Sequence, residues 1–259
     1  DQALAATRLC GIGTNRAYLR QILASPEFRD GKVWTGMLAS IEPKEPVLEI
    51  LEGGAQTTVQ DWPGRSGHWD VGIPPSGPMD SLSHRLANLA VGNPEGAAAL
   101  EFVLKGPSLK AHVDCTACLG GADFAATLDG RPVEPWAPFS WKAGQILKTK
   151  AVAGAGARGV LAVAGGFDVP EYLGSRSTFT LGGFGGHGGR AVRPGDLLAL
   201  AMTESVGKTG VVPEALRPPM ATKWEIGVLP GPQASPDYFR DEDIDDFYAA
   251  SWKVHYNSD

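Results

Sequence analysis

From Val47 onward the chain consists of short apolar runs separated by Gly and Pro. VLEILEGG, KGPSLKAHVDCTACLGGADFAATLDG, FSWKAGQILKTKAVAG, RGVLAVAGGFDVP, PGDLLALA and WEIGVLPG are each rich in Val, Leu and Ile. Runs of this length, with turn residues every ~8–12 positions, predict the strands of a mostly antiparallel barrel or sandwich. Asp129-Gly130 predicts a hairpin turn, because both residue types tolerate the left-handed backbone of a two-residue loop. One amphipathic helix interrupts the pattern at MDSLSHRLANLAVG. Asp80 or Ser81 caps it, Leu82, Leu86 and Leu89 are expected to face the core, and Gly92 ends it. A second helix is predicted at DEDIDDFYAAS. No repeat of solenoid period is present.

The first 40 residues follow a different pattern. Helix formers break at Gly11-Ile12-Gly13, Thr14 and Asn15 offer an N-cap, and Ala17, Leu19, Ile22 and Leu23 recur at helical spacing up to Pro26. SIEPKEP (residues 40–46) is polar, carries two prolines and reads as a linker. The expected organisation is a helical segment 1–40, a linker 41–46 and a β-rich domain 47–259. The chain begins at Asp1 inside what reads as structured sequence, so a longer parent polypeptide is expected.

Composition narrows the function. Of 259 residues 43% are apolar, enough for a substantial core. The 34 glycines and 20 prolines serve turns rather than disorder, because apolar runs recur between them. With 23 Lys and Arg against 29 Asp and Glu, the formal charge of −6 and the lack of a basic stripe argue against a nucleic-acid partner. No apolar stretch approaches the ~18 residues of a membrane span. Three cysteines do not make a disulfide framework, and no targeting signal is visible, which together suggest the cytoplasm. Cys115 and Cys118 form a lone CxxC in a strand context. No second pair completes a zinc site, and no helix start activates a thiol.

Other motifs lose their chemistry on inspection. Gly154, Gly156 and Gly159 spell GxGxxG, but a strand-like run follows where a dinucleotide site needs a helix. Asp241, Asp243 and Asp245 mimic the start of a calcium loop, yet Asp246 and Trp252 stand where Gly and Glu are needed. An acidic first helical turn explains them better. The five histidines have no metal-ligand spacing, and no GxSxG, SxxK or Walker A pattern is present. GGFGGHGGR (Gly182–Arg190) is left open between an anion cradle of backbone N–H groups, a loop over a site and a plain flexible loop.

The stretch from Gly53 to Glu101 is different. Gln60, Asp61, Arg65, His68, Asp70, Ser76, Asp80, Asn88, Asn93 and Glu101 crowd between structural glycines. Binding groups commonly sit on loops set on a rigid barrel. Structural roles compete for each: Asp61 and Arg65 can pair, Asp80 can cap the helix, and Asn93 can close the turn after Gly92.

The run TTVQDWPGRSGHWDVGIPPSGPMD…ANLAVGN…AAALE resembles the carboxyltransferase family called allophanate hydrolase subunit 2. That family includes part of the urea carboxylase carboxyltransferase domain and one of the 5-oxoprolinase subunits. The resemblance continues through GARGVLAVAGGFDVPEYLGSRSTFTLGGFGG, RPGDLL, LPGPQ and DDFYAASWKVHYNSD, covering about residues 47–259. GIGTNRAYLRQILASPEFRDGKVWTGML is similar to the C-terminal end of a biotin carboxylase domain. That domain order is the one found in urea carboxylases (urea amidolyases).

The resemblance implies a mainly β, cyclophilin-like barrel with a few helices, plus the short helical N-terminal piece. It implies carboxyl transfer from carboxybiotin, held on a separate carrier domain, to a urea- or guanidine-like nitrogen. ATP and Mg are used by the biotin carboxylase part. The implied partners are the carrier domain, a second carboxyltransferase half-domain and a homo-oligomeric parent, with no nucleic acid and no membrane. Asp80 and Asp61 are expected as acceptors for substrate N–H groups, with Arg65, Ser76 and Asn93 as donors and Gln60 beside them in the binding set. A 5-oxoprolinase component and a non-catalytic binding module are the competing expectations.

Overall fold

The structure, a computed structural model, describes residues 3, 4, 7, 15–41, 46–201 and 207–253. Two antiparallel sheets account for the apolar runs from VLEILEGG to PGDLLALA. The first orders β11 (Leu197–Ala199), β1 (Val47–Glu52), β4 (Ser108–Ala111), β9 (Ile146–Lys148), β6 (Thr127–Leu128) and β7 (Arg131–Pro132). The second orders β2 (Gln56–Gln60), β3 (Ala99–Val103), β10 (Arg158–Val163), β5 (Cys115–Gly121) and β8 (Phe139–Trp141). Their inner faces meet over Leu48, Ile50, Leu109, Leu147 and Leu198 from one sheet and Val59, Leu100, Phe102, Leu119, Trp141 and Leu161 from the other. An isolated bridge between Phe167 and Leu200, which follow β10 and β11, marks a corner where the sheets approach.

The helix α4 (Ser81–Ala90) covers the outer face of the second sheet, so the central strand β10 is buried on both sides. This explains why RGVLAV shows no alternation: a strand with two covered faces has no polar side. The Asp129-Gly130 hairpin is present, with φ values of 48° and 81° between the paired strands β6 and β7.

The expected orientation of α4 is wrong. Leu82 and Leu89 are 45% and 50% exposed, and the buried face is Ser83, His84, Ala87, Asn88 and Ala90, with Leu86 packed at its side. The cause lies in β5. A Cβ placed on Gly120 would stand 3.3 Å from the Ala87 Cβ and 3.3 Å from the Ser83 carbonyl oxygen. The helix backbone approaches the sheet too closely there for leucine, so small residues take the contact. WEIGVLPG is likewise not a strand. Residues 224–231 are irregular, and Trp224, Ile226 and Leu229 are exposed. An apolar alternation makes a strand only where a neighbouring ladder receives its N–H and C=O groups. β2 and β3 went unpredicted because QTTVQ and ALEFV carry buried polar residues in place of an apolar run.

Before β1, α1 (Arg16–Ala24) ends at Ser25, whose hydroxyl oxygen accepts the Phe28 N–H at 3.3 Å to start α2 (Pro26–Arg29). The short α3 (Met37–Ser40) follows. Leu19 is 38% exposed, and Gly11 to Gly13 and most of the linker, 42–45, lie outside the described residues. The chain divides into two compact units, 1–222 and 223–259. The second contains α5 (Asp241–Ala249), whose first turn holds Asp241 and Asp243, with Arg240 donating to Asp243 Oδ1 at 2.9 Å. The calcium-like aspartates are thus an acidic helix start. GxGxxG runs from a loop, Gly154 and Gly156, into β10 at Gly159, without the helix a dinucleotide needs.

The CxxC is also settled by strand geometry. Residues three apart on a strand point to opposite faces, and Cys115 packs on the inter-sheet core while Cys118 packs under α4. Burial pushes both thiols up to about 12. Neither is expected to react with iodoacetamide at pH 8 until the protein unfolds, with mass spectrometry of native and denatured samples as the check.

Candidate active site

Two loops bring the polar stretch together: residues 61–80, between β2 and α4, and residues 170–189, after β10. Asp61 is where they lock. Its Oδ1 accepts the Ser175 hydroxyl at 2.5 Å and the Ser177 hydroxyl at 2.6 Å, and its Oδ2 accepts the Arg176 N–H at 2.7 Å. The Asp61 N–H in turn donates to Ser177 Oγ at 3.0 Å. Gln60 sits beside it. Its Nε2 donates to Thr58 Oγ1 and to the Thr178 carbonyl, and its Oε1 accepts the Gly77 N–H at 3.1 Å.

Arg65 spans the same two loops and is fully buried. Its Nε donates to the Tyr172 carbonyl at 3.0 Å and its Nη2 to the Ser177 carbonyl at 2.9 Å, while the guanidinium carbon lies 4.9 Å from the Phe184 ring centre. Its Nη1 has no hydrogen-bond partner among the described residues. Burial lowers the pKa of this guanidinium, opposed by the charge of Asp61. The glycine run closes against it. Gly185 has φ 74°, and a Cβ there would fall 2.1 Å from the Ser177 carbonyl oxygen. At Gly185 the run is therefore a packed loop, while Leu181 just before it is 93% exposed.

Ser76 is half-buried at φ 55°, and its hydroxyl makes no hydrogen bond among the described residues. Four residues on, Asp80 caps α4. Its Oδ1 accepts the Ser83 N–H at 2.9 Å and its Oδ2 the Ser83 hydroxyl at 2.6 Å. The Asp80 N–H donates to Glu101 Oε1 at 3.0 Å. Asn93 lies deeper. Its Nδ2 donates to Asn88 Oδ1 at 2.9 Å and to the Val163 carbonyl at 2.8 Å, and its Oδ1 accepts the Gly165 N–H at 2.7 Å. Asn88 Nδ2 donates to the Ala97 carbonyl, which also lies 3.0 Å from His84 Nε2.

Counting valences separates the six residues. A carboxylate oxygen accepts two hydrogen bonds and an amide nitrogen donates two. Both Asn93 and Gln60 have spent their N–H donors, and Asp61 Oδ1 is full, with one position left on Oδ2. Asp80 keeps one open acceptor position on each oxygen, Ser76 keeps its hydroxyl, and Arg65 keeps Nη1. Asp61 and Gln60 thus bond across the two loops and Asn93 bonds to Asn88, Val163 and Gly165, while the Asp80 carboxylate is bonded by Ser83 alone among the described residues and, with Ser76 and Arg65, retains the most unused capacity. Ser175, Ser177 and His84 had no individual sequence signal. Their partners Asp61 and Ala97 are remote in sequence or reached through the main chain.

His84 links the two clusters electrostatically. It is fully buried, its Nδ1 has no partner among the described residues, and burial lowers its pKa to about 4 against the Ala97 carbonyl, Asp61 and Asp80, which pull upward. In the unfolded chain it titrates near 6.5, so the unfolded state binds the extra proton. Stability is expected to be fully present above about pH 6.5 and to fall by about 3 kcal/mol by pH 4. Urea denaturation across that window checks this. The His84→Gln protein should show a shallower decline, and equal slopes would contradict the assignment.

Comparison with known proteins places this geometry. Residues 71–259 match the family described as carboxyltransferase domain, subdomain A and B. The chain is 42% identical over its whole length to urea amidolyase of Saccharomyces cerevisiae, of which it covers 14%. The crystal structure of the Kluyveromyces lactis urea carboxylase superposes with a TM-score of 0.89 at 44% identity, over 100% of this chain and 24% of that one. A 5-oxoprolinase subunit of Escherichia coli is 36% identical over 80% of this chain and 64% of its own length. The chain thus spans a small part of the urea amidolyases it matches. It belongs to the carboxyltransferase-domain family, subdomains A and B.

Proposed function

We propose that this chain performs carboxyl transfer within a biotin-dependent urea carboxylase, converting urea or a guanidine-like relative into its N-carboxylated product, allophanate in the case of urea. The observation that carries the reading is full-length similarity. Urea amidolyase and urea carboxylase match 100% of the chain, including the first 40 residues, whereas the E. coli 5-oxoprolinase subunit matches 80%. Segment 1–40 is read as the end of the biotin carboxylase domain and 47–259 as carboxyltransferase. The carrier domain, the second half-domain and the ATP- and Mg-using carboxylase are the partners of this reading.

Biotin, when delivered on its carrier, supplies the carboxyl group on a ureido nitrogen. The unspent donors among the six candidate residues, the Ser76 hydroxyl and Arg65 Nη1, fit the chemistry of a ureido or urea carbonyl oxygen. Asp80 accepts an N–H of the planar substrate through its open lone pairs and holds the attacking nitrogen in place. Gln60, Asp61 and Asn93 keep the loops that carry these groups in register. Full-length enzyme should hydrolyse ATP faster on adding urea and not on adding 5-oxoproline. The opposite preference would sink the reading.

A further inference from the structure

The carboxylate of Glu101 stands beneath the start of α4, and nothing in the reading above uses it. It lies on β3 between Thr58 of β2 and Val160 of β10 and is only 5% exposed. Both its oxygens have a direction. Oε1 accepts the Asp80 N–H at 3.0 Å, and Oε2 lies 3.6 Å from Arg158 Nη1. The Met79 N–H acts on it as well. Burying a carboxylate is costly, and here burial raises its pKa. A neutral side chain would fill the same space without that cost. The length of the side chain brings Oε1 to a backbone N–H, and that bond ends at the residue whose side chain has open acceptor positions.

The rest of the loop shows why one more tether matters. Gln60 holds Gly77 and the Arg65 N–H holds the Pro75 carbonyl, both upstream of Pro78. Pro78 has no N–H to give. Downstream of Pro78, the tether from the sheet to the loop is Glu101. Met79 is 67% exposed, so side-chain packing does not anchor this stretch.

We propose that Glu101 is a positioning residue for carboxyl transfer, fixing the Asp80 carboxylate in the loop by holding the Asp80 N–H. The proposal rests on the reading that Asp80 meets the substrate. Two variants of full-length enzyme separate reach from charge. Glu101→Gln keeps the length and a carbonyl acceptor but loses the charge, whereas Glu101→Asp keeps the charge but falls one methylene short. Urea-dependent turnover and biotin carboxylation are measured together, with melting temperature as a folding control.

Positioning predicts that Glu101→Gln transfers within about 3-fold of wild type. Glu101→Asp should lose about 10-fold or more in kcat with KM little changed and biotin carboxylation intact. In an Asp80→Ala background, Glu101→Asp should add no further loss, because its effect runs through Asp80. Equal or better transfer by Glu101→Asp than by Glu101→Gln overturns the proposal, as does a full additional loss in the Asp80→Ala background. Normal transfer by Asp80→Ala alone would instead remove the underlying reading of Asp80, and the proposal with it.

Discussion

Asp80→Ala in the full-length enzyme is expected to lower carboxyl transfer to urea by about 30- to 1000-fold while leaving ATP-dependent carboxylation of biotin nearly unchanged. The magnitude follows from two roles of one side chain. As a helix cap its loss costs about 1 kcal/mol of stability, because the Ser83 N–H loses its acceptor. As an acceptor for a substrate N–H, its loss removes a charged hydrogen bond, about 2–4 kcal/mol of transition-state energy. Asp80→Asn divides the two roles, since asparagine caps helices as well as aspartate does but carries no charge. Paired assays of the two half-reactions, with thermal melts, read the result. An Asp80→Asn enzyme with normal transfer would confine Asp80 to capping.

Arg65→Met is expected to cost about 2–4 kcal/mol of folding stability, the larger effect of the two on the protein itself. Methionine keeps most of the apolar volume and the contact with Phe184 but none of the donors. The buried Ser177 carbonyl then loses its Arg65 donor, the Tyr172 carbonyl keeps only the Ser175 N–H at 3.3 Å, and Asp61 loses its neighbouring positive charge. Arg65→Lys should recover little, because an ammonium group lacks the planar fork that reaches both carbonyls. Chemical denaturation of the isolated chain measures the difference, and a loss below about 1 kcal/mol would show that the two loops do not depend on this brace.

What the sequence made legible was local. The Asp129-Gly130 turn, the cap and limits of α4, the acidic start of α5 and the structural character of Cys115 and Cys118 each depend on neighbours along the chain. The face of α4 was misjudged because it depends on Gly120, distant in sequence, where the helix and β5 come too close for leucine. β2 was missed because Thr57, Thr58 and Gln60 are buried by hydrogen bonding rather than by apolar character. The site residues were gathered as a polar cluster on the family motif, but their division of labour was not visible. Asp61 and Asp80 are the same residue type in the same loop. Ser175 and Ser177, more than a hundred positions after Asp61, fill one of its oxygens, and neither bonds Asp80.

Whether this region carries the carboxyl group from biotin to a urea nitrogen is decided by a single turnover. Carrier domain bearing labelled carboxybiotin is isolated from ATP, mixed with the carboxyltransferase portion containing this chain, and supplied with urea. Label should leave the carrier and appear in allophanate with the wild-type region, and stay on the carrier when Asp80 is replaced by alanine. Transfer to urea at the wild-type rate with this region deleted would contradict the proposed role.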